Sequence, residues 1–411
     1  MRIAVVSPFL DRRHGTERCI VEQIERFLQK PDCQVHIYSQ SVQDLSVVRW
    51  NGRSASAHFK GKAVWHRISS LPGPHLVNFL WWYFANQALR WFHRAFRILE
   101  FDMVFSPGIN CKDAQAIVVH IVFHEFFRLV RSELRFRDAP LSSWPIVLHR
   151  LLYYRLIMAL ENRVYRNPKI RLAAVSRLTA GELASHFGRS DVTVIPNAVD
   201  LVRFNPRERL RRRESSRQAL QVANGEFVVL IVGNDWKKKG LTTLLKAIAA
   251  NRKLPVKLLV VGRDKQAPFV DQIRQLQLEG RVLFPGPSAD ILQFYAAADV
   301  YAGPSLHDSF ALPPIEAMAC GLPVITSVTN GGAQIITEGL DGYVLNDPQD
   351  SEALARLLGR LYGDPALCRS VGQNAAQTAQ SYTWERNASE TWDFLCKGLD
   401  SSRAASFTAT G

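Results

Sequence analysis

Asp308 and Glu316 stand eight positions apart, and the stretch between them reads Ser309-Phe310-Ala311-Leu312-Pro313-Pro314-Ile315. Prolines are tolerated at a helix start, where the first N–H groups have no partner within the helix. Gly321 supplies the left-handed residue that closes a helix, and Pro323 opens the next strand. The stretch therefore predicts a loop feeding a short helix, with the backbone N–H groups of Ser309, Phe310 and Ala311 at its mouth. N–H groups beside a helix N-terminus form an anion site suited to a diphosphate. A carboxylate next to bound phosphate would repel it, so Asp308 and Glu316 are expected to accept hydrogen bonds from sugar hydroxyls instead.

A second constellation is Asn234-Asp235-Trp236-Lys237-Lys238-Lys239-Gly240, directly after the apolar run 227–233. A lysine in such a strand-to-helix turn can neutralise a departing diphosphate. Three consecutive lysines cannot all point inward. Lys239, against Gly240 and the next helix, is the expected one, with Asn234 and Lys238 as its neighbours. Near the start, Gly15 and Glu17 follow the first strand, and glycine there lets the backbone approach a ligand closely. His120 ends the apolar run 116–120, at the mouth of a sheet. No group of His, Cys, Asp or Glu has ligand spacing, so no metal is expected. The six cysteines are scattered without a Cys-x-x-Cys pair, which excludes a disulfide framework or zinc site and suits a reducing compartment.

Short apolar runs alternating with longer amphipathic segments must position these residues, the pattern of an α/β chain with parallel sheets. Strands are expected at 2–6, 34–38, 102–106, 116–120, 171–175 and 192–196, with helices at 16–29, 145–166 and 177–186. A second series has strands at 227–233, 256–262, 281–284, 299–302, 323–326 and 343–345, with a helix at 241–250, and reads as one doubly wound domain. The expected division is a first domain at 1–205, an arginine-rich exposed linker at 206–224, a second domain at 225–380, a helix at 381–400 and a disordered tail at 401–411.

Hydrophobic residues make up 47% of the 411 and charged residues 21%, enough apolar content for two cores. The net charge of +14 is uneven, +18 over 1–250 and −4 over 251–411. The basic portion favours an anionic partner. Nucleic acid is excluded as the expectation, because no recognised module appears and no aromatic platform accompanies the arginines. The segment 64–101 carries ten aromatic residues, with Arg67, Arg90, Arg94 and Arg97 among them and no acid before Glu100. This composition suits an anionic membrane surface; the alternative is a buried helix pair with arginines on its rim. No run reaches a membrane span and the first residues do not form a signal peptide, so the expected location is cytoplasmic, peripheral on the inner face of the membrane.

Taken together, Ala174-Val175-Ser176, Ile195-Pro196-Asn197-Ala198-Val199-Asp200, Lys239-Gly240, the block from Asp308 to Pro323, and Gly331-Gly332-Ala333-Gln334 resemble the family 4 retaining glycosyltransferases through nearly the whole chain. The resemblance implies two facing Rossmann-like domains (the GT-B architecture), with the C-terminal helix returning to the first domain. It implies a nucleotide diphosphate sugar of the UDP type as donor, bound on the second domain, no further cofactor, and a glycan or glycolipid acceptor on the first. Gly15 and Glu17 match the family's glycine loop and acid, His120 the histidine that meets the transferred sugar, and Glu316 the acid that holds the ribose. Asn234 stands where arginine is common, Asp308 where glutamate is usual, and Ala311 where glycine is usual. The turn 234–240 is similar to that of lipopolysaccharide core glucosyltransferases. The alternatives are an epimerase or phosphorylase of the same fold, or a nucleotide-sugar-binding or membrane-scaffold subunit without turnover.

Overall fold

The computed structural model describes residues 1–50, 61–134 and 140–408. Two compact units divide the chain: Met1–Ile195 with Glu385–Gly411, and Pro196–Trp384.

The first unit is built on an eight-stranded, wholly parallel sheet. Its spatial order is Thr193–Val194, Arg171–Ala174, Ala116–Val119, Met103–Ser106, Arg2–Val6, Gln34–Ser39, Ala63–Arg67 and Val47–Arg49. The inner strands are mostly apolar and buried, as expected of a parallel sheet covered on both faces. The order reverses beside Arg2–Val6, so the turns after that strand and after Met103–Ser106 flank a crevice at the carboxyl edge. The C-terminal helix Trp384–Thr408 returns to this unit from Glu385 onward. Gln23 donates to Asn387 (2.8 Å) and Thr391 (3.2 Å) there, and Arg171 caps the carbonyls of Phe394 and Leu395. The tail expected at 401–411 is helical to Thr408, and its last three residues lie outside the described ones.

The first unit's core contains an unusual polar stack. His36, His66 and His93 are all buried. His36 Nδ1 lies 2.9 Å from His66 Nε2, the Tyr38 ring stacks on His66 at 4.5 Å, and the Tyr38 hydroxyl meets His93 Nδ1 at 2.7 Å. Burial pulls the pKa of His36 down to about 3 and that of His66 to about 2, so these rings are neutral.

The aromatic segment 64–101 comprises the strand Ala63–Arg67 and the helix His75–Ala95. Trp82, Tyr83 and His93 face the core, while Trp81, Phe84, Trp91, Phe92 and Phe96 are exposed. Arg90 is buried over Tyr38 and paired with Asp113 at 2.6 Å, so it is no surface cation; Arg94 and Arg97 are exposed.

The second unit carries a six-stranded parallel sheet in the order Val282–Leu283, Val256–Val261, Phe227–Val232, Val300–Ala302, Val324–Ser327, Tyr343–Leu345. By sequence rank this is 3-2-1-4-5-6, with its switch point between Phe227–Val232 and Val300–Ala302. The stretch expected as a linker at 206–224 is instead the helix Pro206–Ala219, inside this unit. Asn205 caps it through Glu208 N (2.9 Å), and Arg213 and Arg217 dock on Asp299 and on the last carbonyls of the helix Leu292–Ala297. The arginine-rich composition serves this docking, which also moves the division of the chain from 205 to 195.

Candidate functional site

In the second unit, the switch point brings two turns together at the carboxyl edge of the sheet. The first turn, after Phe227–Val232, holds Gly233 (φ 146°) and Gly240 (φ 86°), conformations that favour glycine. Their surroundings are also tight. A Cβ on Gly233 would lie 2.9 Å from Lys239 Cε, and one on Gly240 would overlap the Pro304 carbonyl oxygen. The turn thus folds the Lys239 side chain back over Gly233 and locks against the second turn, where Leu306 N donates to the Lys238 carbonyl at 2.7 Å.

The three lysines are sorted by this geometry. Lys239 Nζ pairs with Asp308 from the opposite turn. Lys238 Nζ pairs within its own turn with Asp235 Oδ2, at 2.9 Å. Lys237 is exposed. Asn234 is exposed, and its side-chain oxygen accepts from Arg263 N at 2.8 Å, tying the turn to the neighbouring strand's exit.

The second turn follows Val300–Ala302 and leads into the helix Leu312–Ala319. Ser327 and Thr329 hydroxyls hold the Ser305 carbonyl (2.7 and 2.6 Å), and Asp308 exchanges backbone hydrogen bonds with Thr329 and Gly331. Ser309 and Phe310 keep N–H groups without a partner among the described residues. The Ala311 N–H does not, because the buried Asn330 side-chain oxygen accepts it at 3.2 Å, which corrects the expectation that all three are offered to an anion. Glu316 is 4% exposed, and its Oε2 accepts from the Tyr295 hydroxyl at 2.8 Å. Burial, with the Glu316 charge beside it, holds the Tyr295 phenol well above its ordinary pKa, so it stays protonated and donating. The helix closes as expected: Gly321 is left-handed (φ 73°), with Leu322 N bonded to Ala317 O and Gly321 N to Met318 O.

In the first unit, Gly15 opens the helix Gly15–Phe27 and Glu17 sits in its first turn. Burial raises the Glu17 pKa, and the nearby Asp11 charge adds to the shift. Asp11 is itself buried, which pushes its carboxyl up, but N–H donation from His14 and Arg13 more than offsets this and leaves it below its ordinary value. His120 follows Ala116–Val119; it is 8% exposed, its Nε2 has no partner among the described residues, and burial pulls its pKa down to about 4. The following helix Phe123–Val130 is held at its start by the fully buried Glu161, which accepts from Phe123 N (2.7 Å) and His124 N (3.0 Å). Burial raises Glu161 to about 7 despite those two donors.

Lys239, Asp308, Ser309, Phe310 and Glu316 therefore gather at one switch point, and Gly15, Glu17 and His120 at the carboxyl edge of the other sheet. Asn330, Tyr295 and Glu161 support them and were not anticipated. Asn330 precedes two glycines, an Asn-Gly turn signal that marked it; Tyr295 and Glu161 carry no local signal.

Two family models match the chain: Glycosyltransferase Family 4 over 13–203 and Glycosyl transferases group 1 over 212–378. A D-inositol 3-phosphate glycosyltransferase of Salinispora arenicola is 32% identical over 237 residues, covering 53% of each chain. One from Arthrobacter sp. is also 32% identical, over 241 residues and 56% of each. The chain spans about half the length of the curated relatives it matches. Among solved structures, WaaG, a glycosyltransferase involved in lipopolysaccharide biosynthesis, superimposes with a TM-score of 0.74 over 96% of this chain and 99% of its own, at 20% identity. HepE of Anabaena, in complex with UDP and glucose, gives 0.68 over 96% and 99%, also at 20% identity. Two Rossmann-like domains, each matched by its own glycosyltransferase model, place the chain in the family 4 glycosyltransferases of the GT-B architecture.

Proposed function

We propose that this glycosyltransferase moves a hexose-type sugar from a UDP-type donor, with retention, to a glycan or glycolipid acceptor of the cell envelope. The observation that carries the reading is the switch-point cluster of the second domain: one lysine, one carboxylate and two N–H groups without partners among the described residues on two interlocked turns, and a second carboxylate in the helix that follows. Lysine and N–H groups suit a diphosphate, and carboxylates suit hydroxyls of ribose and sugar. The UDP and glucose bound by HepE fit this pairing of chemistries.

In this reading Lys239 and the N–H groups of Ser309 and Phe310 take up charge on the departing diphosphate. The acceptor oxygen bonds to the anomeric carbon on the face from which the phosphate oxygen leaves, and that oxygen takes the acceptor's proton. His120, neutral and with an open Nε2, orients the transferred sugar; Glu316 holds the ribose. Positioning and charge stabilisation carry the rate, with no protein nucleophile. A lipid-linked acceptor is supported by the exposed rings Trp81, Phe84, Trp91, Phe92 and Phe96 beside Arg94 and Arg97, which would meet an anionic cytoplasmic leaflet. No helix among the described residues is long and apolar enough to cross a membrane.

The test is a screen of nucleotide sugars by thermal stabilisation, followed by transfer assays with the anomeric configuration read by NMR. A ligand at 100 times its dissociation constant adds about 2.7 kcal/mol. UDP-sugars should stabilise the protein more than free sugars or nucleoside monophosphates. Inversion at the anomeric carbon, or no stabilisation by any nucleotide sugar, overturns the proposal.

A further inference from the structure

At the opposite edge of the second sheet lies a cavity of about 1000 Å³. Phe227, Asp299 and Pro323, at the amino ends of three parallel strands, line it, whereas the cluster around Lys239 sits at the carboxyl ends. The six residues of Phe227–Val232 put roughly 20 Å between the two edges. The cavity belongs entirely to the second unit and is not used by the proposed transfer chemistry.

Its charges are unevenly satisfied. Asp299 is consumed by Arg213, Arg217 and the Val228 N–H. Glu226 is engaged by Lys257 and the Ala223 N–H. Two guanidinium groups remain under-used. Arg209 makes one 3.3 Å bond, to the Ala298 carbonyl, and its buried Nε has no partner among the described residues. Arg369 is exposed, with no hydrogen-bond or ion-pair partner among the described residues. Burial and the Arg213 charge pull the Arg209 pKa down, more than the nearby Asp299 charge restores. Both arginines line the cavity with Cys368 and lie near enough for their charges to act on its thiol. The one remaining acid, Glu214, is exposed at the rim. Gln218 and Asn224 add polar side chains to a wall that is otherwise largely apolar, with the Tyr362 ring edge-on to Phe227 at 5.6 Å.

We propose that this cavity binds a phosphorylated small molecule, with Arg209 and Arg369 on the phosphate and Tyr362 against a planar or apolar moiety. An arginine fork matches phosphate oxygens, and a phosphate here would give acceptors to the Arg209 Nε and the Arg369 guanidinium. The size suits a nucleotide or sugar phosphate.

The test is titration calorimetry of the full chain with inorganic phosphate and with adenosine 5′-monophosphate, on the unmodified protein and on Arg369→Gln, Arg209→Gln, Tyr362→Ala and Lys239→Ala. Adenosine monophosphate should bind more tightly than inorganic phosphate. Each arginine substitution should weaken both by about tenfold or more, the scale of a charge-assisted hydrogen bond. Tyr362→Ala should weaken only the nucleotide, and Lys239→Ala should leave a binding event intact. Arg369→Gln removes an exposed side chain without partners, so its result does not depend on whether Arg209→Gln folds. Failure of both probes to bind at millimolar concentration overturns the proposal, as does binding that survives both arginine substitutions or disappears with Lys239→Ala.

Discussion

Acid should destabilise the first domain through its buried imidazoles, and the size of the effect follows from their burial. In an unfolded chain a histidine titrates near 6.5. His36 and His66 are held neutral down to about pH 3 and 2. Between those limits the unfolded state binds protons that the native state refuses, so stability present above about pH 6.5 is lost as the pH falls. From about pH 7.5 to about pH 5 the loss is about 2 kcal/mol for each ring, a large fraction of a typical domain stability of 5–15 kcal/mol. Glu161 works in the opposite sense, since its pKa of about 7 makes it easier to protonate folded than unfolded. A substitution isolates the imidazole contribution. His66→Phe keeps the ring stack on Tyr38 and removes one titrating group, leaving Glu161 untouched. Hydrogen exchange at Gln34–Ser39 and Ala63–Arg67, corrected for intrinsic rates, reports the opening free energy of this domain. The unmodified protein should lose several kcal/mol over that interval, and the variant about 2 kcal/mol less. Equal pH slopes in the two proteins would refute the reasoning.

The remaining predictions concern the second domain and the surface. Lys239→Ala should lower kcat by about 100-fold or more, since the charge it meets grows in the transition state; unchanged steady-state kinetics would shift the role to Lys238. Glu316→Gln should weaken donor binding at least tenfold, the scale of a hydrogen bond to a charged group, and Tyr295→Phe should reproduce part of that loss by removing the phenol that holds Oε2; calorimetry with UDP decides both. Activity should survive a strong chelator, because Lys239 and the Ser309 and Phe310 N–H groups supply the positive field; loss restored by magnesium would count against it. The protein should co-sediment with anionic but not neutral vesicles, and Arg94→Glu with Arg97→Glu should reduce this at low salt, each cation contributing about 1 kcal/mol; equal binding to neutral vesicles would point to apolar insertion alone.

The strands and the two strand-to-helix turns of the second domain were legible because each is a local pattern: an apolar run, then glycine and charge, then an amphipathic helix. Leu241–Ala250 and Tyr343–Leu345 fall where the pattern put them. Pro206–Ala219 was misread because its arginines only make sense against Asp299 and the carbonyls before it, some 80 residues further on. The edge strand Val47–Arg49 and its neighbour Ala63–Arg67 are short and open to solvent on part of their length, so their hydrophobic signal is weak. Of the candidate site, the inward turn of Lys239 was legible from its place next to Gly240, whose left-handed backbone and close packing fix the turn. That Asp308 would face Lys239, and that Asn330 would take the Ala311 N–H, depends on pairing between distant strands. The histidine stack was likewise invisible, its members being brought together by two parallel ladders and a helix.

The Lys239–Asp308 pair makes the proposed donor site its own antagonist. A lysine waiting with no counter-ion would attract any polyphosphate, and a cell is full of those. Here the cation is already answered, so an incoming diphosphate must displace a carboxylate before it gains the ammonium. A ligand that brings phosphate alone leaves Asp308 stranded and partly desolvated, which costs about as much as the new contact returns. One that brings phosphate together with hydroxyl donors rehouses the carboxylate in the same event. Discrimination against bare diphosphate thus arises from an exchange of partners, and its signature would be an Asp308→Asn variant that binds the unglycosylated nucleotide as firmly as the nucleotide sugar.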